Sequence, residues 1–224
     1  MAECIIVIQI LVLGYGLGSV PFGVLLAKLF KLPDPRYIGS GNIGATNMLR
    51  TGNKKVAFLT LLLDAGKGAA AVLITFAIFS EFVTHDCLTT TGEGYDCEVL
   101  EIEPVLTALA VLAAAVGHMY SPWLKFKGGK GMATILGGAL AFAWPVGMAA
   151  LIVWLIVTNT TRYVSLGSMC ALAIAPLVAW LRVDGTSAII LAIASGIAIY
   201  KHRDNIKRLR QGFEPKVSLG NKKP

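Results

Sequence analysis

The sequence predicts an all-α, polytopic membrane helix bundle built as a single domain over residues 1–224. Three observations carry that expectation. Apolar residues make up 55% of the chain and charged residues 15%, against about a quarter charged in soluble domains. Several apolar runs exceed the roughly 20 residues that cross about 30 Å of hydrocarbon. They also lack the alternation of a barrel strand, and a bilayer admits only helices or closed barrels.

Residues 5–30 read as the first span, with Pro21 as a kink. The run is too long for a signal-peptide core, and Glu3 stands where a base would precede one. Residues 31–53 are polar and glycine-rich, too irregular for a plain connector. A second span covers 56–79 in spite of Asp64 and Lys67, and a loop over 80–103 follows, rich in Asp and Glu and free of Lys and Arg. The third span is 104–123, and 125–131 is basic and glycine-rich. An apolar stretch over 132–158 is interrupted by Trp144-Pro145. Spans over 163–181 and 186–200 then lead into a basic tail from Lys201. No internal repeat, linker or low-complexity segment divides the chain.

Lys and Arg in short loops mark the cytoplasmic side. They cluster at Lys31, Arg36, Arg50, Lys54 and Lys55, at Lys125, Lys127 and Lys130, and along the tail. The N-terminus and the acidic loop then face outward. For the tail to return to the cytoplasm, the chain must cross an even number of times after Lys130. Residues 132–158 are therefore expected to form two short helices turning at Trp144-Pro145, which makes seven transmembrane helices. Helices of about 14 residues rise only about 21 Å, so this hairpin must tilt, thin the bilayer or stay shallow.

The net charge of +7 reads as this orientation signal plus attraction for phosphate, not as a nucleic-acid surface, which needs a polar domain with a groove-reading motif. Cys4, Cys87, Cys97 and Cys170 fit no zinc spacing, so neither metal nor cofactor is expected. Cys87 and Cys97 share the acidic loop, where a disulfide and two free thiols are both open readings.

Three polar motifs fall on the cytoplasmic side. The first runs Ser40-Gly41-Asn42-Ile43-Gly44-Ala45-Thr46-Asn47, with Arg50 beyond. Hydroxyls and amides among glycines supply donors to an anion, and Arg50 adds a fork suited to phosphate. An ordinary turn before a helix has the same composition. The second, Phe126-Lys127-Gly128-Gly129-Lys130-Gly131, joins flexible backbone and two cations to a helix N-terminus. It is not a Walker loop, because Leu124 and Gly131 stand where that motif needs Gly and Ser or Thr. A basic turn that merely fixes topology is the plainer reading. In the third, Lys201-His202-Arg203-Asp204-Asn205-Ile206, a continuing helix puts His202 and Asn205 on one face, although a snorkelling basic cap looks the same. Asp64 and Lys67, about 12 to 17 Å into the second span by helix rise, are either an ion pair or the lining of a cavity. His118 and the serines Ser165 and Ser168 are weaker candidates, the serines being common in helix packing.

These motifs together resemble the bacterial acyl-phosphate-dependent glycerol-3-phosphate acyltransferases, an integral-membrane family. The resemblance rests on the run from Ser40 to Arg50, Asp64-x-x-Lys67-Gly68, Gly117-His118 leading into Phe126–Gly131, and Lys201-His-Arg-x-Asn205 with Gly212 and Glu214 beyond. The runs keep the family's order across almost the whole chain, and the acidic loop is an insertion. The resemblance implies transfer of a fatty acyl group from acyl phosphate to the 1-hydroxyl of glycerol 3-phosphate. Lysophosphatidate and inorganic phosphate would be the products, at the bacterial inner membrane, with membrane lipid as partner and functional coupling to the enzyme that makes acyl phosphate. It implies that Ser40, Arg50, Lys130, His202 and Asn205 are catalytic, and that Gly128, Gly129 and Gly131 hold the glycerol-3-phosphate phosphate. Asn42, Thr46, Asn47, Lys127, Ser165, Asp64 and Lys67 join them as substrate-binding candidates, and Glu214 is structural. The His-x-x-x-x-Asp pair of soluble-type acyltransferases is absent. A membrane transporter of phosphorylated metabolites is the alternative, although such proteins usually show repeats and midplane sites.

Overall fold

The structure, a computed structural model, describes residues 2–90 and 102–217. It is all-helical among the described residues. The first span is two helices, α1 (Ala2–Ser19) and α2 (Phe22–Leu29), broken at Pro21. Proline withholds an N–H and blocks the helix through it, which frees carbonyls that have no water to turn to inside a membrane. Here they are capped from elsewhere. Ser121 Oγ donates to the Ser19 carbonyl at 2.6 Å, and the Lys67 ammonium donates to the Val20 carbonyl at 2.9 Å.

A short helix α3 (Ala45–Met48) lies in the polar loop, and α4 (Lys54–Thr90) follows. The expected loop over 80–103 therefore needs correction, since its first part continues the helix. Residues 80–90 contain neither Gly nor Pro, so nothing stops the ladder when apolarity ends. Cys97, and with it any Cys87–Cys97 pairing, lies outside the described residues.

Helix α5 (Ile102–Met119) occupies the middle, packed by α1, α4, α6 (Met132–Phe142) and, further along the chain, α9. Its Ala110, Ala114 and Ala115 are wholly shielded, whereas Ile8 and Val12 of α1 and Phe58 of α4 point outward. Small residues inside and large apolar ones outside suit a lipid surround, where close backbone approach replaces hydrophobic collapse. A Cβ on Gly18 would lie 2.0 Å from the Ala114 carbonyl oxygen, so any larger residue there would push α1 off α5.

Specific contacts fix which end of the bundle each segment reaches. Tyr15 OH donates to the Tyr120 carbonyl at 2.8 Å, joining the ends of α1 and α5. Leu26 and Ala27 of α2 cluster with Val56 and Ala57 at the start of α4. From α6 the chain turns at Ala143 into α7 (Trp144–Thr161), with Pro145 in the first turn, then passes through α8 (Val164–Arg182) and α9 (Gly185–Lys201). Lys201 Nζ donates to the Met119 carbonyl at 2.9 Å, and Val217 N–H to the Arg162 carbonyl at 2.9 Å. The loops over 31–53, 120–131 and 162–163 and the tail thus share one end. Helix α6 leaves it and α7 returns, which makes the expected hairpin at the expected place. Its arms are unequal, at 11 and 18 residues, rising about 16 and 27 Å.

Among the described residues, five helices are long and apolar enough to cross a membrane, or up to six if α9 is counted with α10 (Arg203–Arg210). Helix α6 is too short to qualify alone, so a count of seven goes beyond what length and composition establish. The expectation of a continuing helix through His202 also fails, because α10 bends 56° away from α9. The cause is local. His202 Nδ1 lies 2.8 Å from the Ala198 carbonyl, which the helix ladder would have offered to the His202 backbone N–H. That N–H turns to Ile199 instead, and the helix breaks.

Candidate active site

The polar loop before α4 is organised by one side chain. Asn47 is buried, and its Oδ1 accepts from the Ser40 backbone N–H at 3.1 Å and from Ser40 Oγ at 3.3 Å. Its Nδ2 donates to the Pro35 carbonyl at 2.7 Å and the Asn42 carbonyl at 2.8 Å. With both ends of its amide engaged inside the loop, Asn47 holds Ser40 in place. Ser40, Thr46 and Arg50 stay exposed, and Asn42 is half-buried. Arg50 lies across Gly39, whose φ of 53° and missing Cβ make room, since a Cβ there would sit 2.4 Å from Arg50 Nη1. The backbone of Ile43 packs on Gly23 of α2, which fastens the loop to the bundle end.

The second loop is held by backbone instead. Gly128 N–H donates to the Met119 carbonyl at 3.2 Å, and Gly129 N–H to the His118 carbonyl at 3.0 Å. Lys125 and Phe126 both take left-handed backbone, with φ of 51° and 61°, and Gly131 does so at 81° where it begins α6. Non-glycine residues pay for that conformation, so the surrounding bonds must impose it. Lys127 points to the surface and Lys130 is half-buried. Burial first, and the nearby Arg208 charge second, push the Lys130 ammonium down to about 8.

The tail closes on this loop. Lys130 Nζ donates to Asn205 Oδ1, and Asn205 Nδ2 donates to Glu214 Oε1 at 2.6 Å. Ser165 Oγ donates to the same Glu214 oxygen at 2.5 Å, and Arg208 Nε to Oε2 at 2.8 Å. Burial alone would raise the Glu214 carboxyl, but the bonds from Ser165, Asn205 and Arg208 outweigh it and hold the group below its ordinary value. His202 is buried beside them. Nothing in the spacing of Arg208 singles it out among the basic residues of the tail.

Asp64 and Lys67 form a third group, both buried and 2.9 Å apart. His118 Nδ1 lies 3.5 Å from the same Asp64 oxygen. The structure therefore joins Lys130, Asn205, Ser165 and Glu214 by direct bonds and sets Ser40, Asn42, Asn47 and Arg50 in a separate loop. Among the described residues no hydrogen bond or ion pair links those two sets, although both occupy one end of the bundle. No group of three or more His, Cys, Asp or Glu side chains able to hold a metal occurs among the described residues.

An apolar helical bundle with two cation-bearing glycine loops gathered at one end defines a polytopic integral-membrane protein. Residues 8–212 match the family model for glycerol-3-phosphate acyltransferase. A glycerol-3-phosphate acyltransferase of Rhodospirillum rubrum is 45% identical over 209 residues, covering 93% of this chain and 90% of that protein. One of Jannaschia sp. is 44% identical, covering 92% and 90%. The crystal structure of PlsY (YgiH), an integral membrane glycerol 3-phosphate acyltransferase, in its glycerol 3-phosphate form, matches with a TM-score of 0.78 at 35% identity. That match covers 95% of this chain and 96% of PlsY. The lysophosphatidic acid form of PlsY matches with a TM-score of 0.77. The chain belongs to the glycerol-3-phosphate acyltransferase family.

Proposed function

We propose that the protein transfers a fatty acyl group from acyl phosphate to the 1-hydroxyl of glycerol 3-phosphate. The hydroxyl oxygen attacks the acyl carbonyl, the bond to the phosphate oxygen breaks, and lysophosphatidate and inorganic phosphate leave. A substrate phosphate oxygen takes the hydroxyl proton, so catalysis is mainly positioning and charge stabilisation. The observation that carries this reading is the presence of two separate phosphate-suited loops at one end of the bundle, one for each phosphorylated substrate. The likeness to PlsY in both glycerol 3-phosphate and lysophosphatidic acid forms supports the acceptor and the product.

In this reading Gly128, Gly129, Lys130 and Gly131 receive the glycerol-3-phosphate phosphate, with Lys127 at the mouth. Ser40 and Arg50, flanked by Asn42 and Thr46, serve the acyl phosphate. His202 turns Nδ1 to the Ala198 carbonyl and keeps Nε2 for a substrate oxygen, while Asn205 holds Lys130. The acyl tail stays in the lipid, and the donor arrives from a coupled enzyme that makes it. The chain crosses the bacterial inner membrane seven times, with the N-terminus outside and the motif end in the cytoplasm, at an early step of phospholipid synthesis.

Purified protein supplied with glycerol 3-phosphate and acyl phosphate should release phosphate and lysophosphatidate in equal amounts. Acyl-CoA or acyl carrier protein thioester in place of acyl phosphate should give no product. Equal rates with a thioester would sink the donor assignment and leave the acyltransferase reading in place.

A further inference from the structure

We propose that His118, oriented by Asp64, is a positioning residue for the Gly128–Gly131 loop. Its imidazole is the floor on which Gly129 seats, and it sets the depth from which Lys130 reaches Asn205. This rests on the reading that the loop holds the glycerol-3-phosphate phosphate.

Three observations converge. First, the ring meets the loop where only glycine fits: a Cβ on Gly129 would lie 2.0 Å from His118 Nε2, and one on Gly128 would lie 2.1 Å from the His118 carbonyl oxygen. The loop is thus gripped by His118 twice, through its ring and through the 3.0 Å bond from Gly129 N–H to its carbonyl. Second, the ring is aimed. Asp64 Oδ1 lies 3.5 Å from His118 Nδ1, and that carboxylate is itself held by Lys67 at 2.9 Å. Lys67 in turn is fixed by the Val20 carbonyl freed at the break between α1 and α2. With Nδ1 facing the carboxylate, Nε2 is the ring edge left against Gly129. Third, the arrangement sets depth. Asp64 lies ten residues beyond the start of α4 at Lys54, about 15 Å along the axis, so the carboxylate facing His118 supports the ring from inside the bundle. Lys130 follows Gly129 directly, and its ammonium ends on Asn205.

Every member of this chain is buried, with Asp64 at 2%, His118 at 4% and Lys67 at 5% exposure. A plain structural ion pair would explain Asp64 and Lys67, but it would leave unexplained why the third member presses on the one residue that precedes Lys130.

Glycerol 3-phosphate binding to the purified full chain, read by calorimetry, tests the proposal. His118→Ala should weaken binding about tenfold or more, because misplacing a binding group by about 1 Å is that costly. In a Lys130→Ala background the same change should add no more than about twofold, since residues acting as one unit are not additive. Gly129→Ala should also weaken binding, and combining it with His118→Ala should recover part of the loss, because removing the ring clears the space the methyl needs. A general loss of structure would not produce that recovery. Independent, additive losses or the absence of recovery would overturn the proposal. If His118→Ala fails to fold, Asp64→Leu, which keeps approximate size but leaves Nδ1 no oxygen to face, decides: wild-type affinity in a folded Asp64→Leu protein would overturn it as well. Absence of saturable glycerol 3-phosphate binding in the unaltered protein would instead count against the proposed function.

Discussion

The two glycine loops at the motif end are built in opposite ways. The loop from Gly39 to Arg50 hangs on a single buried amide, Asn47, while its cation and hydroxyl lie exposed. The loop from Lys125 to Gly131 is bonded through its backbone to the end of α5, and its lysine is half-buried and tied to Asn205. An exposed guanidinium would meet an anion in water, where attraction is weak. A shielded ammonium acts at lower effective dielectric, where each charge counts for more and protonation can fail. Binding at the first loop should therefore depend on shape, and binding at the second on charge.

The largest expected effect breaks the second loop. Lys130→Ala should lower kcat/KM for glycerol 3-phosphate by about 100-fold or more, on the scale of losing a shielded, charge-assisted bond to the substrate phosphate. Next, Asn47→Ala should destabilise the protein by about 2–3 kcal/mol, because it leaves buried carbonyls and the Ser40 N–H without partners. Thermal unfolding in detergent checks it, and a change confined to activity with no loss of stability would show that Asn47 is more than a loop organiser. Smaller again, Glu214→Gln keeps the shape of the hub but removes the charge facing Arg208. Activity should fall by about tenfold, with KM for glycerol 3-phosphate moving more than KM for the acyl donor. Equal shifts in both would mean that the tail supports the two loops alike.

Sequence pattern showed both loops but not how either one is held. The run from Ser40 to Asn47 shows its donors openly, but composition could not tell that Asn47 spends its amide within the loop, since that depends on which carbonyls fold toward it. The hairpin was legible from parity and from Trp144-Pro145, because charge asymmetry and proline act through simple rules. The bend at His202 was not, because it depends on an imidazole competing for its own helix's carbonyl. Glu214 and Arg208 are six residues apart beyond a glycine, and only the turn at Gly212, with φ of 74°, brings the carboxylate back to Ser165 and Asn205. The break at Pro21 was visible, whereas the ammonium that satisfies it, Lys67, comes from another helix.

The pH dependence of the two loops offers the sharpest division between them. Lys130 is pushed down to about 8 chiefly by burial, so its charge is complete well below pH 8 and is lost as the pH rises through that value. A phosphate monoester is already almost fully dianionic above about pH 7, so the acceptor itself adds no titration in this range. In the free enzyme, binding of glycerol 3-phosphate should then weaken by up to about tenfold per pH unit above 8. On the proposed assignment the acyl donor lies at the other loop, away from Lys130, and should show no such limb. The KM for glycerol 3-phosphate should rise between pH 8 and pH 9.5 while that for acyl phosphate stays flat, with donor hydrolysis corrected at each pH. Lys130→Arg should carry the limb beyond the measured range even if its longer fork lowers the maximal rate. Parallel rises for both substrates, or a limb unchanged in Lys130→Arg, would mean that the buried lysine does not govern acceptor binding.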